Sequence, residues 1–466
     1  MRDVLRSGQT LAMNVFRRAL TGKSIFARAV RGASWTVVGF GTMQAVRLAS
    51  NLVLTRLLFP EAFGLMALVG VFITGLTMLS DVGLGPSVMQ NKRGDEEDFL
   101  NTAWTIQVLR GFALWVGTCA LALPLAYLYG EPTLAQILPV AGLALVVSGF
   151  NPTRLLSANR HLLLGRITGL ELLNQIISLA VLVGLTWWMR SVWALVIGGV
   201  ISSVVYLILA NLLLPGRPNR FRWEAAAVND LIHFGKWIFF STALGFLISQ
   251  GDKLILGKYL SIDMLGIYNI GYFLASFPLL LGGAVITRIL IPLYREGPPS
   301  SSPENFRKIR WMRFALSAGV MGMMTVMAFG GVLLIQFLYD PRYAAAGGIV
   351  VLIACVQMFQ LVGLTYDQSA LAAGDSRSYF TLFVARASLQ IASLLIGIEV
   401  AGLLGALAGQ GLAVIVTHIF IVWLARRYRA WDPLHDAVFA SLAILLSTTA
   451  LRLNWEAVVA LSTWAG

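Results

Sequence analysis

Apolar runs of about twenty residues recur along the whole chain, separated by short polar connections. Runs of that length fit helices that cross a bilayer. They do not alternate as barrel strands would. The pattern predicts spans at 33–58, 62–90, 104–129, 134–153, 167–189, 191–214, 237–260, 264–293, 314–338, 345–372, 380–400 and 404–425, with a thirteenth near 436–452. Residues 454–466 are too short for a full span and read as half-inserted or interfacial.

Polar residues inside the apolar runs change this picture. The stretch 234–266, FGKWIFFSTALGFLISQGDKLILGKYLSIDMLG, carries Gln250, Asp252 and Lys253 at membrane depth. Such groups are costly there and face a protein interior or a watery cavity. Ser241, Gly245, Ser249 and Asp252 form one small, polar helical face. An earlier copy of the stretch exists. Trp35, Leu52, Leu54, Leu58 and Gly64 recur as Trp237, Leu254, Leu256, Leu260 and Gly266, always 202 residues later, and Glu61 recurs as Asp263. The copies begin the two halves of the chain, and transporters built from repeats bind at the repeat interface. The expected fold is an all-α polytopic membrane protein. Two six-helix lobes, related by a pseudo-two-fold axis, enclose a central cavity, with one or two further helices at the C-terminus. Gly83 and Gly85, before Pro86, are expected to loosen or bend the second span.

Composition agrees with a membrane protein. Of 466 residues, 58% are hydrophobic and 12% charged, about half the charged fraction of a soluble chain. The net charge of +13 would suggest nucleic acid if the charges were spread evenly. They are not. The N-terminal tail and the connections 91–103, 154–166, 215–236, 294–313, 373–379 and 426–435 hold 25 Lys/Arg, and the opposite connections hold 4. This asymmetry predicts that the first set, with the N-terminus, is cytoplasmic, and removes the case for nucleic acid. The segments expected are 1–31, a basic amphipathic stretch on the membrane surface rather than a cleaved signal; 32–214, the first lobe; 215–236, a cytoplasmic linker; 237–425, the second lobe; and 426–466.

The chemistry that remains is that of ions in a cavity. Arg47, Arg56, Arg110, Lys253, Arg288 and Arg386 lie inside spans, with Asp81, Glu171, Asp252 and Asp367. Arg56 can reach the interface by snorkelling. Arg47 is too deep for that and forms a stripe with Gln44, Asn51 and Thr55. Fixed cations of this kind suit an anionic group such as pyrophosphate. Gln44, Asn51, Gln250 and Asn269 suit sugar hydroxyls, and Tyr268 and Tyr272 can stack on sugars. No Walker loop or metal-ligand spacing is present, so no catalytic or metal residues are assigned. His161, His233 and His435 read as solvated residues of connections, and His418, inside the twelfth span, as a core histidine with a proton-coupling role as the alternative.

RGASWTVVGFGTMQAVRLASNLVLTRLLFPEAFGLMALVGVF, the DVGLGPSVMQ element, and FGKWIFFSTALGFLISQGDKLILGKYLSIDMLGIYNIGYFLASFP together resemble the polysaccharide-transporter family of oligosaccharide-lipid flippases. The resemblance covers about residues 28–430. It implies the multidrug/oligosaccharidyl-lipid/polysaccharide flippase fold and transport of undecaprenyl-pyrophosphate-linked sugar units across the bacterial inner membrane. Alternating access coupled to Na+ or H+, without another cofactor, is expected, alongside a polymerase and export machinery as partners. Asp81, Gln90, Asp252, Lys253, Gly266 and Tyr268 are the positions carried over. The substrate cavity is therefore expected to contain Gln44, Arg47, Asn51, Asp81, Gln250, Asp252, Lys253, Tyr268, Arg288 and Arg386, with Arg288 and Arg386 as entry contacts. The alternatives are a membrane-embedded polysaccharide polymerase or ligase, which needs a sizeable outward loop, and a multidrug exporter, which favours an apolar or acidic cavity.

Overall fold

A computed structural model describes residues 25–81, 83–161, 163–366, 370 and 375–463. The first half runs α1 Ile25–Leu57, α2 Pro60–Leu79, the short α3 Leu84–Gln90, α4 Glu97–Tyr129, α5 Thr133–Gly149, the short α6 Arg154–Arg160, α7 Leu164–Met189 and α8 Val192–Leu213. The second runs α9 Ala225–Tyr259, α10 Ile262–Glu296, α11 Pro303–Leu338, α12 Ala346–Leu364 and α13 Ser376–Arg427, followed by α14 Pro433–Leu453 and the short α15 Trp455–Val459. Among the described residues no strand occurs, and nine helices are long and apolar enough to cross a membrane. The protein is a multi-pass membrane protein. The predicted segment 1–31 lies mostly outside the described residues; its last part begins α1.

The helix breaks follow from local chemistry. The span predicted at 62–90 stops after α2, where Gly83 takes φ 65° and donates its N–H to Asp81 Oδ1 at 2.9 Å. Only glycine adopts that backbone region freely. α13 is two arms, broken at Ala401 and at Gly402, φ 56°. In the closely packed arms, a Cβ at Gly405 would sit 2.0 Å from Gly397 O, and one at Gly409 2.2 Å from Ser393 O. The matching spacing at Gly165 and Gly169 faces open space. α5 and α6 are bent by 61°.

The linker predicted at 215–236 is not a loop throughout. α9 begins at Ala225, so linker and span form one helix. The extended part is strapped to the first half. The N–H groups of Arg220, Arg222 and Glu224 donate to Asn101 Oδ1, Thr105 Oγ1 and Thr102 Oγ1 at 3.0, 3.0 and 3.2 Å. Alternate residues of an extended strand point one way, and these three meet one polar face of α4. Phe221 packs on Trp104, with ring centroids 4.9 Å apart. Ala227 and Leu231, on the first turns of α9, pack with Leu84, Val88, Phe99 and Ala103 of the first half.

The strongest link between the halves lies at the end opposite these basic connections. There α2 crosses α10 at backbone contact. A Cβ on Gly64 would sit 1.9 Å from Ile262 O, and one on Gly266 would sit 2.1 Å from Pro60 O. Ile262 and Gly266 are Pro60 and Gly64 shifted by 202, so the contact is reciprocal, as an isologous interface requires. Other contacts recur in the same way: α2 with α9 and α10 with α1, α1 with α7 and α9 with α13, α4 with α5 and α11 with α12. Trp35 and Trp237 are outside the described side chains. Tyr343 donates to Leu58 O at 3.1 Å, Tyr129 to Leu254 O at 3.0 Å, and Lys258 to Leu128 O at 2.6 Å, all at the same end.

Gly64→Ala and Gly266→Ala each place a methyl where backbone already stands. Each is expected to destabilise the fold by about 1–3 kcal/mol, the usual cost of overpacking, read as a lowered melting temperature in detergent. Gly165→Ala, with nothing near its Cβ, is the control and is expected to melt as the parent does.

Candidate functional site

The site is built on the α9–α10 pair. Ser261 starts α10 by accepting Met264 N–H at 3.3 Å, which folds the two helices back on each other. Asp252 and Tyr268 are brought together by that reversal. Tyr268 is fully buried and donates to Asp252 Oδ2 at 2.6 Å. Asp252 is 3% exposed, and its Oδ1 has no partner among the described residues.

Asp252 lies at one wall of a cavity of about 100 Å³ enclosed by α9, α10, α12 and both arms of α13. Arg386, Gln357, Gln410 and His418 also line it. Gln357 Oε1, Gln410 Nε2 and His418 Nδ1 are buried without partners there. Buried polar atoms are costly unless satisfied, so this pocket is built for a polar occupant, and several waters fit its volume. It lies inside the second half. Asp252 and Arg386 thus line a pocket within the second half, and Tyr268 holds Asp252 at its wall.

Lys253, one residue on, reaches the next turn of α10. Its Nζ sits 4.8 Å over the ring of Tyr272 and 3.4 Å from Gln250 Oε1. The next residue on α10, Phe273, carries the other deep cation: the Arg47 guanidinium lies 4.8 Å over its ring. The cations come from α9 and α1, on the two halves, and flank α10. Among the described residues, neither has a carboxylate partner. Aromatic faces hold a cation without neutralising it, so both charges remain available to an anion. Arg47 is exposed, and Gln44 and Asn51 are half-buried on the same helix.

The other expected residues have other roles or lie elsewhere. Asp81 stabilises the α2–α3 break through Gly83. Arg110 donates to Thr77 O at 2.5 Å and Ser80 Oγ at 3.0 Å, closing the C-terminal end of α2, whose carbonyls lack helical partners. Arg288 is outside the described side chains.

The sequence reading missed a polar cluster where α14 meets the second half. His435 is not solvated, as its place in a connection suggested, but fully buried, with Nε2 2.9 Å from Ser317 Oγ. Asp432, also buried, takes a two-point contact from Arg310 at 2.5 and 2.9 Å. Arg313 is buried against the Tyr366 ring at 4.4 Å and donates to Ala430 O at 2.6 Å. Burial pushes the Tyr366 hydroxyl up and keeps it a neutral donor. The signal was present as three ionisable residues, Asp432, His435 and Asp436, before one apolar run. Only packing shows that they are inside.

Comparison with known proteins follows this geometry. A profile of the family described as polysaccharide biosynthesis protein matches residues 53–344. The lipopolysaccharide biosynthesis protein WzxC of Escherichia coli (strain K12) is 23% identical over 85% of this chain and 80% of its own length. The succinoglycan biosynthesis transport protein ExoT of Rhizobium meliloti (strain 1021) is 21% identical over 57% of this chain and 53% of its own. Among solved structures, the lipid II flippase MurJ in an inward closed conformation superposes with TM-score 0.68, at 11% identity, covering 91% of this chain and 97% of that one.

The Asp252–Tyr268 pair carries a stability prediction. Tyr268→Phe removes the donor to a buried carboxylate and is expected to cost about 1–3 kcal/mol, at the upper end because the orphaned group is charged. Asp252→Asn keeps an acceptor oxygen and is expected to cost less. Thermal unfolding of the purified variants gives the order.

Proposed function

The chain belongs to the polysaccharide biosynthesis protein family, and from that membership we propose that it is a flippase for lipid-linked oligosaccharide units. In this reading the two halves rock about the α2–α10 crossing. A cleft between them opens to the basic end, then to the other. The substrate is an undecaprenyl-pyrophosphate carrying a repeat unit of exopolysaccharide, capsule or O-antigen. The membrane is the bacterial inner membrane, with the N-terminus in the cytoplasm, and the partners are the polymerase and export machinery. Transport is coupled to a small cation, Na+ or H+.

One observation carries the proposal: Arg47 and Lys253, from opposite halves, are held over neighbouring rings of α10 with no carboxylate partner among the described residues. A diphosphate is not solvated by hydrocarbon, and a basic, unneutralised pair at the seam meets it. Two separated cations bind an anion less tightly than a cluster, which allows release. The same pair disfavours a drug exporter for cationic compounds. A polymerase or ligase is disfavoured by the connections at the end opposite the basic one, such as 58–59, 190–191 and 260–261, which are too short to hold a catalytic domain.

Arg47→Ala is expected to abolish polymer export and leave lipid-linked units on the inner leaflet, with normal protein in the membrane. Arg47→Lys is expected to retain part of the export because the charge stays. Normal export by Arg47→Ala at normal protein level overturns the assignment.

The orientation is tested separately. Single cysteines placed in 339–345 are expected to react with an impermeant label from outside, and those in 215–224 only after permeabilisation. The reverse pattern inverts the topology.

A further inference from the structure

The pocket in the second half has one wall, His418, whose partner is supplied by α14, a helix beyond the two lobes. His418, on the second arm of α13, lines it. Its Nε2 lies 3.1 Å from Asp436 Oδ2, and Asp436 belongs to the first turn of α14. The same carboxylate accepts Tyr366 O–H at 2.8 Å and Trp431 Nε1–H at 2.8 Å. An indole N–H only donates, so Asp436 is arranged as an ionised acceptor. It therefore takes the His418 hydrogen on Nε2. That fixes the tautomer: Nδ1 is left as a bare lone pair. This atom is buried and without a partner among the described residues, and stands against Gly363 of α12, which lines the same pocket.

We propose that His418 Nδ1 is a proton-binding site, completed by Asp436 from α14, through which the second half takes up a proton from the pocket. The reaction balances simply. A hydronium or water of the pocket gives a proton to the Nδ1 lone pair, forming an N–H bond and an imidazolium, and Asp436 remains a carboxylate. The carboxylate stabilises the imidazolium that forms, as a carboxylate does for a histidine base in hydrolytic triads. An imidazole is suited to the task because its charge can change within about pH 5–8.

The charges facing the pair come from every neighbouring element. α9 gives Asp252 and α10 gives Tyr272; the first arm of α13 gives Arg386. The end of α12 gives Tyr366, and α14 gives His435, whose Nδ1 lies 3.6 Å from Asp436 Oδ1. Arg313 of α11 stands behind the Tyr366 ring. The proton thus arrives in a pocket that already holds one acidic and one basic group, and changes its balance by one charge. The further step, that this proton is the coupling ion, rests on the flippase reading; the binding site does not.

Selective labelling makes the test direct, since the chain has four histidines, His161, His233, His418 and His435. The full chain in nanodiscs, with 15N-histidine, is titrated from pH 8 to 5 with protons as the only added ligand. His418→Gln assigns the signal. The expected result is an Nδ1 resonance that passes from bare to protonated. In Asp436→Asn the proton affinity is expected to fall at least tenfold, about one pH unit of the titration. A His418 that stays neutral over the range, or titrates alike with and without Asp436, overturns the site whether or not the chain is a flippase. Should Asp436→Asn not fold, Trp431→Phe removes a competing donor to Asp436 and is expected to strengthen proton binding; no change would count against the pair. The coupling arm uses polymer export in cells at external pH 6 and 8. His418→Gln is expected to flatten the wild-type dependence. Unchanged dependence leaves the titrating site but sinks its role as the coupling site.

Discussion

The two halves depend on one contact, the crossing of α2 and α10 with glycine at the point of closest approach. Neither Gly64 nor Gly266 leaves room for a methyl, since each faces the backbone carbonyl of the opposite helix. Apolar burial is a weak force between helices in lipid, where tails are as apolar as leucine. Close backbone packing has to replace it. The reciprocal geometry makes the joint self-complementary: what one half offers, the other receives. Around it, Leu54, Leu65, Leu68, Leu256 and Leu265 form a core shared by both halves.

The same constraint, a solvent that offers no hydrogen bonds, explains where the polar groups went. At the end of α2, Asp81 and Arg110 satisfy backbone exposed by the break. At α14, Arg310, Asp432, His435 and Tyr366 satisfy one another. Within the second half the accounting is left open. Asp252, Gln357, Gln410 and His418, which line one cavity, each have a buried atom without a partner among the described residues.

α9 joins these features. Its first turns belong by packing to the first half, its middle carries Asp252 and Lys253, and its last turns enter the joint with α2. A helix held at one end by the strap of 217–224 and at the other by the crossing can transmit a change at its middle to both halves. Asp252 and Lys253 reach successive turns of α10, Asp252 at Tyr268 and Lys253 at the ring of Tyr272, so pocket and seam are one residue apart along the chain.

The sequence by itself determined the class and the order of the helices, because length and apolarity decide what crosses a bilayer. It also pointed to the break near Gly83, because few residues other than glycine take that backbone angle, and to a gap between the spans 380–400 and 404–425. The 202-residue offset matched Gly64 with Gly266, but not the contact each makes with the other's helix. Arg47 and Lys253 stood out because charge at membrane depth needs a reason. Which way each charge faces was decided only by tertiary structure. Asp252 and Lys253 are neighbours in sequence and reach successive turns of α10. That Arg386 lines the pocket of the second half was likewise decided by packing. His435 read as solvated because a connection is normally wet, yet α11, α12 and α14 close over it. His418 and Asp436, 18 residues apart, form a pair because α14 packs on α11 and α12, which brings its first turn beside the second arm of α13. No periodicity within either helix contains that information, since it lies in the angle between them.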